Sequence, residues 1–94
     1  MGKKRILRVN ELLRKELARI LLEDLELPQG SLLTLVQADA SPDLQHAKIY
    51  VTILPEGRSK EILGILEKSI FDIQQRLNKR LVMRPIPKIQ FVRI

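Results

Sequence analysis

The sequence contains no cysteine, which excludes disulfide bonds, thiolate metal sites and a cysteine nucleophile and fits a reducing compartment. Long apolar runs are also absent. The uncharged stretch 27–38 includes Pro28 and Gly30 and is far shorter than the roughly 20 apolar residues that span a bilayer. The basic start, residues 1–5, leads into an amphipathic segment, unlike a secretory signal. We therefore predict no membrane segment and a cytoplasmic location.

Side chains that carry catalytic chemistry are scarce as well. The single histidine, His46, lies near Ser41 and Asp43, but residues this close on an extended hairpin point in different directions. One histidine with scattered carboxylates does not make a metal site, and the four isolated glycines form neither a P-loop nor a dinucleotide fingerprint. We predict that the protein is not an enzyme and uses no metal or other cofactor.

Positive charge is plentiful and is concentrated at the two ends of the chain. Residues 1–20 hold seven basic and two acidic residues (net +5), residues 21–67 hold three and eight (net −5), and residues 68–94 hold seven and one (net +6). Basic ends that meet on one face are typical of polyanion binders, whereas solubilising charge is the alternative.

With 94 residues and 45% hydrophobic content the chain can bury one core, which predicts a single domain, 1–94.

Hydrophobic periodicity predicts a first helix. Apolar residues recur at three- and four-residue intervals from Val9 to Leu25, with charged residues on the other face. Asn10 is a candidate cap, although the apolar residues 6–7 allow an earlier start. Pro28 and Gly30 end the helix.

Two strands joined by a turn are predicted next, over 32–40 and 46–54. Alternation places residues 47, 49, 51 and 53 on one face of the second strand, and on one face of the first it places Thr34, Val36, Ala38 and Ala40. In the connection 41–44, Pro42 suits the first central position of a turn and Asp43 can accept a hydrogen bond from its own backbone. We expect the turn to matter for folding rather than for binding.

The second half of the chain predicts a long helix and a last strand. Ser59 is a candidate cap for a helix that runs to about Arg80, as one rod or broken in two, with an apolar stripe of Ile62, Leu66, Ile70, Ile73, Leu77 and Leu81. Two prolines, at 85 and 87, then forbid helix, and alternation over 88–92 predicts a strand that joins the sheet of the hairpin. The predicted fold class is α+β, a two-layer sandwich with all helices packed on one face.

The element order α-β-β-α-α-β resembles the K-homology type II RNA-binding fold, although the Gly-x-x-Gly loop of that fold is absent. The chain also resembles the ribosome-binding factor A family over nearly its whole length. The most specific match is Ser-Pro-Asp-Leu-x-x-Ala-x-Ile-Tyr-Val at 41–51, and shorter matches lie at 8–12, 78–84 and 87–91. The resemblance implies a three-stranded mixed sheet and a helix-kink-helix. It also implies a factor that binds the immature small ribosomal subunit and assists maturation of the 5′ end of its rRNA, notably in the cold.

The kink is expected at Ser69, Ile70 and Phe71, where the family usually has Ala-x-Gly. In a straight helix Phe71 would lie about 160° from the centre of the apolar stripe, near Lys68, Gln75 and Lys79, where it could stack on an unpaired RNA base. A kink that rotates the second half of the helix would bury the ring instead. We predict burial, because exposing a phenylalanine forfeits about 1.5 to 3 kcal/mol.

The candidate RNA-binding residues are the basic ones near both ends of the chain: Lys3, Lys4, Arg5, Arg8, Lys68, Arg76, Lys79, Arg80, Arg84 and Lys88. Cations at the start of the first helix oppose the helix dipole, which favours a binding role there. At the end of the last helix they are favoured by the dipole, so Arg76, Lys79 and Arg80 fit a structural role equally well.

These features lead to one main hypothesis, a non-enzymatic assembly factor that binds the small ribosomal subunit and its rRNA as a monomer and has no membrane partner. A general RNA-binding module, or a ribosomal component without an assembly role, shares every electrostatic argument. An RNA-processing enzyme is disfavoured by the missing catalytic and metal-binding groups.

Overall fold

The computed structural model of the protein describes residues 2–94, with side chains from Lys4 onward. In chain order its elements are α1 (Gly2–Asp24), β1 (Leu32–Ala40), β2 (His46–Leu54), a 3-10 turn (Glu56–Arg58), α2 (Ser59–Lys68), α3 (Ile70–Arg80) and β3 (Lys88–Arg93). The strand order is β1-β2-β3, with β1 antiparallel and β3 parallel to the central β2. The three helices pack on one face of this mixed sheet, which confirms the predicted α+β fold.

Helix α1 begins at Gly2, before both the periodic stretch from Val9 and the earlier start that residues 6–7 allowed. Its buried stripe follows the predicted period and includes Leu13, Leu17 and Ile20, all with no exposed surface. The prediction that Asn10 caps this helix is wrong, because Asn10 lies inside α1. Its Oδ1 instead accepts a hydrogen bond from the backbone N–H of Ala40 at 2.8 Å, which joins α1 to the end of β1.

Strand β1 contains a bulge that the alternation pattern did not reveal. Leu35 pairs with Val51 and Gln37 pairs with the preceding residue of β2, Tyr50, so Val36 is an extra residue in the ladder. The prediction that Thr34 and Val36 share the inner face with Ala38 and Ala40 is therefore wrong. Thr34 and Val36 are exposed, and the inner positions before the bulge are held by the half-buried Leu33 and Leu35.

Helix α2 begins at Ser59, but Ser59 is not the cap that the sequence predicted. The cap position is Arg58, which makes no side-chain capping bond, while Ser59 already has helical backbone angles of φ −55° and ψ −45°. A capping residue needs a non-helical backbone, so the preceding 3-10 turn moves Ser59 into the helix. Its hydroxyl is buried and has no hydrogen-bond partner among the described residues.

A one-residue break at Ser69 separates α2 from α3, as predicted, and no glycine is required. Ser69 has φ −92° and ψ −1°, which any residue can adopt. Its N–H donates to the Ile65 carbonyl at 3.0 Å, and its carbonyl accepts from the N–H of Ile73 at 2.9 Å. Helical hydrogen bonds therefore continue on both sides of the break.

The prediction that the kink buries Phe71 is wrong, because its side chain is 70% exposed. The continuing hydrogen bonds keep α3 in phase with α2, so the apolar stripe passes from Leu66 through the half-buried Ile70 to Ile73 without a shift. Phe71 therefore stays on the outer side, where a straight helix would place it.

Candidate nucleic-acid interface

Basic residues from both ends of the chain meet at the end of the molecule that carries the 41–45 turn, which we call the hairpin end. Asn10 is bonded to the last residue of β1, so the start of α1 lies at this end. The start of β3 reaches the same end, since the N–H of Lys88 donates to the Gln45 carbonyl at 3.0 Å. The exposed basic residues here are Lys4, Arg5, Arg8, Arg84 and Lys88, whereas the predicted site residue Lys3 lies outside the described side chains.

Two predicted site residues, Arg76 and Arg80, are held in ion pairs between helices. Arg76 lies 3.3 Å from a carboxylate oxygen of Asp24, and Arg80 lies 2.9 Å from Glu23 and 3.9 Å from Glu16. These contacts join α3 to the carboxylates of α1, which supports the structural role that the helix dipole also favours. Partly exposed pairs of this kind contribute about 1 kcal/mol or less, so they orient the helices more than they stabilise them.

The other two predicted residues, Lys68 and Lys79, lie on the outer side of α2 and α3. Together with two uncharged side chains they form a row spaced by three, four and four residues, in which every member is exposed: Lys68, Phe71, Gln75 and Lys79. We call this row the outer strip. Its members project from neighbouring helical turns on the side away from the sheet.

A groove of about 670 Å³ runs beside β3, where the helices approach the edge of the sheet. It is lined by His46, Ala47, Lys48, Glu67, Ile70, Lys88, Ile89, Gln90 and Phe91. Of these, only Lys88 was among the predicted RNA-binding residues, and Ile70 was predicted as part of the kink. Lys48 could have been found from the alternation of β2, which places it with His46 on the polar face of that strand.

The side chain of Gln74 closes part of the outer edge of β3. Its Oε1 accepts from the N–H of Ile89 at 2.9 Å, and its Nε2 donates to the Pro87 carbonyl at 3.1 Å. The N–H of Lys88 points to β2, so that of Ile89 points outward and has no strand to pair with. Gln74 therefore makes the hydrogen bonds to this edge of β3 that a neighbouring strand would otherwise make.

Replacing Gln74 by alanine is expected to lower the free energy of unfolding by about 1 to 3 kcal/mol, because the partly buried N–H of Ile89 loses its hydrogen-bond partner. Chemical denaturation measures this change. The matched control is Gln75→Ala in the same helix, where the exposed side chain should cost less than about 0.5 kcal/mol. Equal losses in the two variants would contradict the role assigned to Gln74.

The turn residues Ser41, Asp43 and His46 form a structural network rather than a catalytic one. The hydroxyl of Ser41 donates to Asp43 Oδ1 at 2.6 Å, and the same carboxylate oxygen accepts from the N–H of Gln45 at 3.1 Å. His46 contributes its backbone N–H, which donates to Ser41 Oγ at 3.1 Å. The Ser41 hydroxyl and then the Gln45 N–H hold the pKa of the Asp43 carboxyl below its usual range.

Asp43→Ala is expected to lower the melting temperature at neutral pH and to leave binding of the folded protein unchanged. Because the pKa of Asp43 is lowered by folding, its stabilising effect is complete above the unfolded-state pKa and is lost as the pH falls through the folded-state pKa. The difference in melting temperature between wild type and Asp43→Ala should therefore shrink in acid. Asp43→Asn, which keeps an acceptor oxygen but cannot ionise, should show a smaller loss that also shrinks in acid, because the titrating carboxyl belongs to the wild type. Weaker binding by a fully folded Asp43→Ala variant would instead place the turn in the interface.

Within residues 2–94 the structure brings together no group of three or more side chains suited to hold a metal ion. No helix in that range combines the length and the apolar character needed to cross a membrane.

Comparison with known proteins identifies the family. The sequence profile of ribosome-binding factor A matches residues 5–93. The chain belongs to the ribosome-binding factor A family. A ribosome-binding factor A from Nitrosococcus oceani is 44% identical over 86 residues, which cover 90% of this chain and 68% of the relative. Another, from a Synechococcus strain, is 40% identical over 93 residues, which cover 94% of this chain and 65% of the relative.

The fold agrees with that of the ribosome-binding factor A family. The crystal structure of ribosome-binding factor A from Thermus thermophilus superposes with a TM-score of 0.68, at 24% identity, and the match covers 99% of this chain and 94% of that chain. These findings confirm the resemblance drawn from the 41–51 segment. The chain spans about two thirds of the length of the two relatives.

Proposed function

We propose that the protein is a non-enzymatic assembly factor that binds the immature small ribosomal subunit through its rRNA. The observation that carries this proposal is the family match over residues 5–93. The exposed basic residues at the hairpin end support it, since lysine and arginine bind RNA phosphates. In this proposal phosphate contacts supply the affinity, and the shape of the RNA supplies the specificity.

The interface that we propose combines the hairpin end with the groove beside β3. Lys88 belongs to both, because it lies at the start of β3 and is one of the residues that line the groove. Lys48 adds a second cation to the groove wall, and the half-buried Ile70 offers apolar surface for a base. A groove with cations beside apolar side chains suits an unpaired strand, whose phosphates and bases are both accessible.

The same proposal includes a more specific role in rRNA maturation. The protein assists maturation of the 5′ end of the small-subunit rRNA, matters most in the cold, and acts as a cytoplasmic monomer. Loss of the protein should then cause subunits with an extended 5′ rRNA end to accumulate, more strongly at low temperature. Unchanged 5′ ends at every temperature would overturn this part of the proposal and leave subunit binding standing.

Sedimentation of cell extract tests the assembly role. An assembly factor should travel with free small subunits and be absent from translating ribosomes. A ribosomal component should remain in translating ribosomes, and a general RNA-binding module should spread over many RNA species. Binding of the purified protein to immature and mature small subunits completes the test, and equal affinity for the two would contradict a role in assembly.

A further inference from the structure

Phe71 is the central residue of the outer strip, and its side chain is 70% exposed. The other two aromatic residues of the chain are less accessible, since Phe91 is buried in the core and Tyr50 is half-buried on β2. Folding gives no reason for an aromatic residue at position 71, because the apolar stripe passes the break at Ser69 without it. The ring therefore presents its apolar faces to solvent.

The charges around Phe71 are arranged so that cations share its side of the helix. Lys68 lies about one turn before Phe71 and Lys79 about two turns after it, and both are exposed. The two carboxylates closest in sequence lie beside the outer strip, one along each edge. Glu67 lines the groove beside β3, and Asp72 lines the small cavity against α1 with Asp24 and Arg76. The outer strip itself contains no carboxylate.

We propose that the outer strip binds an unpaired RNA nucleotide whose base stacks on Phe71, while Lys68 and Lys79 bind the neighbouring phosphates. Aromatic rings stack on bases of any identity, and lysine at either side neutralises the backbone that carries the base. Gln75, between Phe71 and Lys79, offers an amide donor and acceptor to the base edge or to a 2′-hydroxyl. This inference rests on the proposed RNA-binding function and adds to it a binding site for one unpaired nucleotide, the outer strip.

An unpaired base is a better occupant than a protein surface. Lysine is depleted in protein interfaces, whereas an aromatic ring flanked by cations is the usual arrangement for single-stranded nucleic acid. The strip also adjoins the proposed groove, since Glu67 and Gln74 are the helical neighbours of Phe71 on the side toward β3. A strand that enters the groove would therefore pass Phe71.

The test compares four variants of the full chain against two RNA probes. The variants are Phe71→Ala, Phe71→Leu, Phe71→Trp and, as a control at another exposed apolar residue, on α1, Leu22→Ala. The probes are an unstructured adenine-rich single strand and a blunt duplex of equal length. Phe71→Ala should bind the single strand about 5- to 150-fold more weakly, with unchanged duplex affinity, salt slope and melting temperature.

The other variants separate stacking from simple apolar contact. Phe71→Leu should lose as much affinity as Phe71→Ala, because leucine has no π-face, whereas Phe71→Trp should keep the affinity. The chain has no other tryptophan, so quenching of the Phe71→Trp fluorescence by the single strand reports stacking directly. Leu22→Ala should behave as wild type with both probes.

Each remaining result overturns the inference in a recognisable way. If wild type binds neither these RNAs nor the small subunit, the proposed function fails and the inference fails with it. If wild type binds with a steep salt dependence and Phe71→Ala binds equally well, only the inference fails. A lower melting temperature of Phe71→Ala would make the ring structural. Loss of subunit affinity with RNA affinity intact would assign the ring to a ribosomal protein.

Discussion

Raising the salt concentration from 50 to 200 mM is expected to weaken binding to the small subunit by about 250- to 16,000-fold. Ten basic residues were candidates from the sequence. Arg76 and Arg80 are held in ion pairs and Lys48 of the groove wall is added, which leaves nine, of which we expect five to eight to reach phosphates. Five to eight contacts correspond to a log–log slope of affinity against salt of roughly −4 to −7. Titrations at four or more salt concentrations measure this slope.

A slope near −1 would contradict the electrostatic basis of the interface. Substituting Arg76 provides an internal check, because a guanidinium already paired with Asp24 releases few counterions when RNA binds. Arg76→Gln should therefore leave the slope nearly unchanged. A change of a full unit would show that the ion pair opens in the complex.

Reversing two charges at the start of α1, Lys4→Glu with Arg5→Glu, is expected to weaken subunit binding by about 30-fold or more at 0.15 M salt. Each phosphate contact contributes about fivefold at this salt concentration, and repulsion from the new carboxylates adds to the loss. The salt slope should become less steep by about two. The melting temperature should stay the same or rise, because glutamate at a helix N-terminus is favoured by the helix dipole.

The matched control reverses two exposed basic residues at the other end of the molecule, Arg58→Glu with Lys60→Glu. This end is remote from the hairpin, since Arg58 lies beyond the last residue of β2 and donates to the Gln29 carbonyl. Both double variants change the net charge by the same amount. Equal loss of affinity would mean that total charge, rather than the hairpin end, governs binding, and unfolding of the Lys4/Arg5 variant would make that segment structural.

Much of the fold could be predicted because each element carries its own period. The stripe from Ile62 to Leu81 repeats every three or four residues, and the alternation from His46 to Leu54 matches the burial of β2. The meeting of the two basic ends was also predictable, since a last strand that joins the hairpin returns the end of the chain to the start of β2.

Features that depend on contacts between distant elements could not be predicted in this way. Asn10 bonds to a residue 30 positions away and Gln74 to one 15 positions away, and neither bond leaves a local pattern. The pairing of Arg76 and Arg80 with α1 depends on how two helices pack. The side on which Phe71 lies depends on whether the break at Ser69 rotates α3 about its axis. That rotation is set by the backbone angles of Ser69, which the sequence does not reveal.

The bulge at Val36 has a consequence for how chains of different length can share this sheet. Residues before and after the bulge keep their inward-facing side chains only because one residue stands outside the ladder. Removing Val36 would leave Leu35 and Gln37 as consecutive partners of Val51 and Tyr50, in a regular strand with the same inner face. Removing Gln37 would have the same effect, with Val36 as the partner of Tyr50, whereas removing any other internal residue of β1 would reverse the two faces of one part of the strand. In an alignment of related chains, a one-residue gap in this segment therefore belongs at position 36 or 37, where the sheet can absorb it without exchanging its inner and outer surfaces.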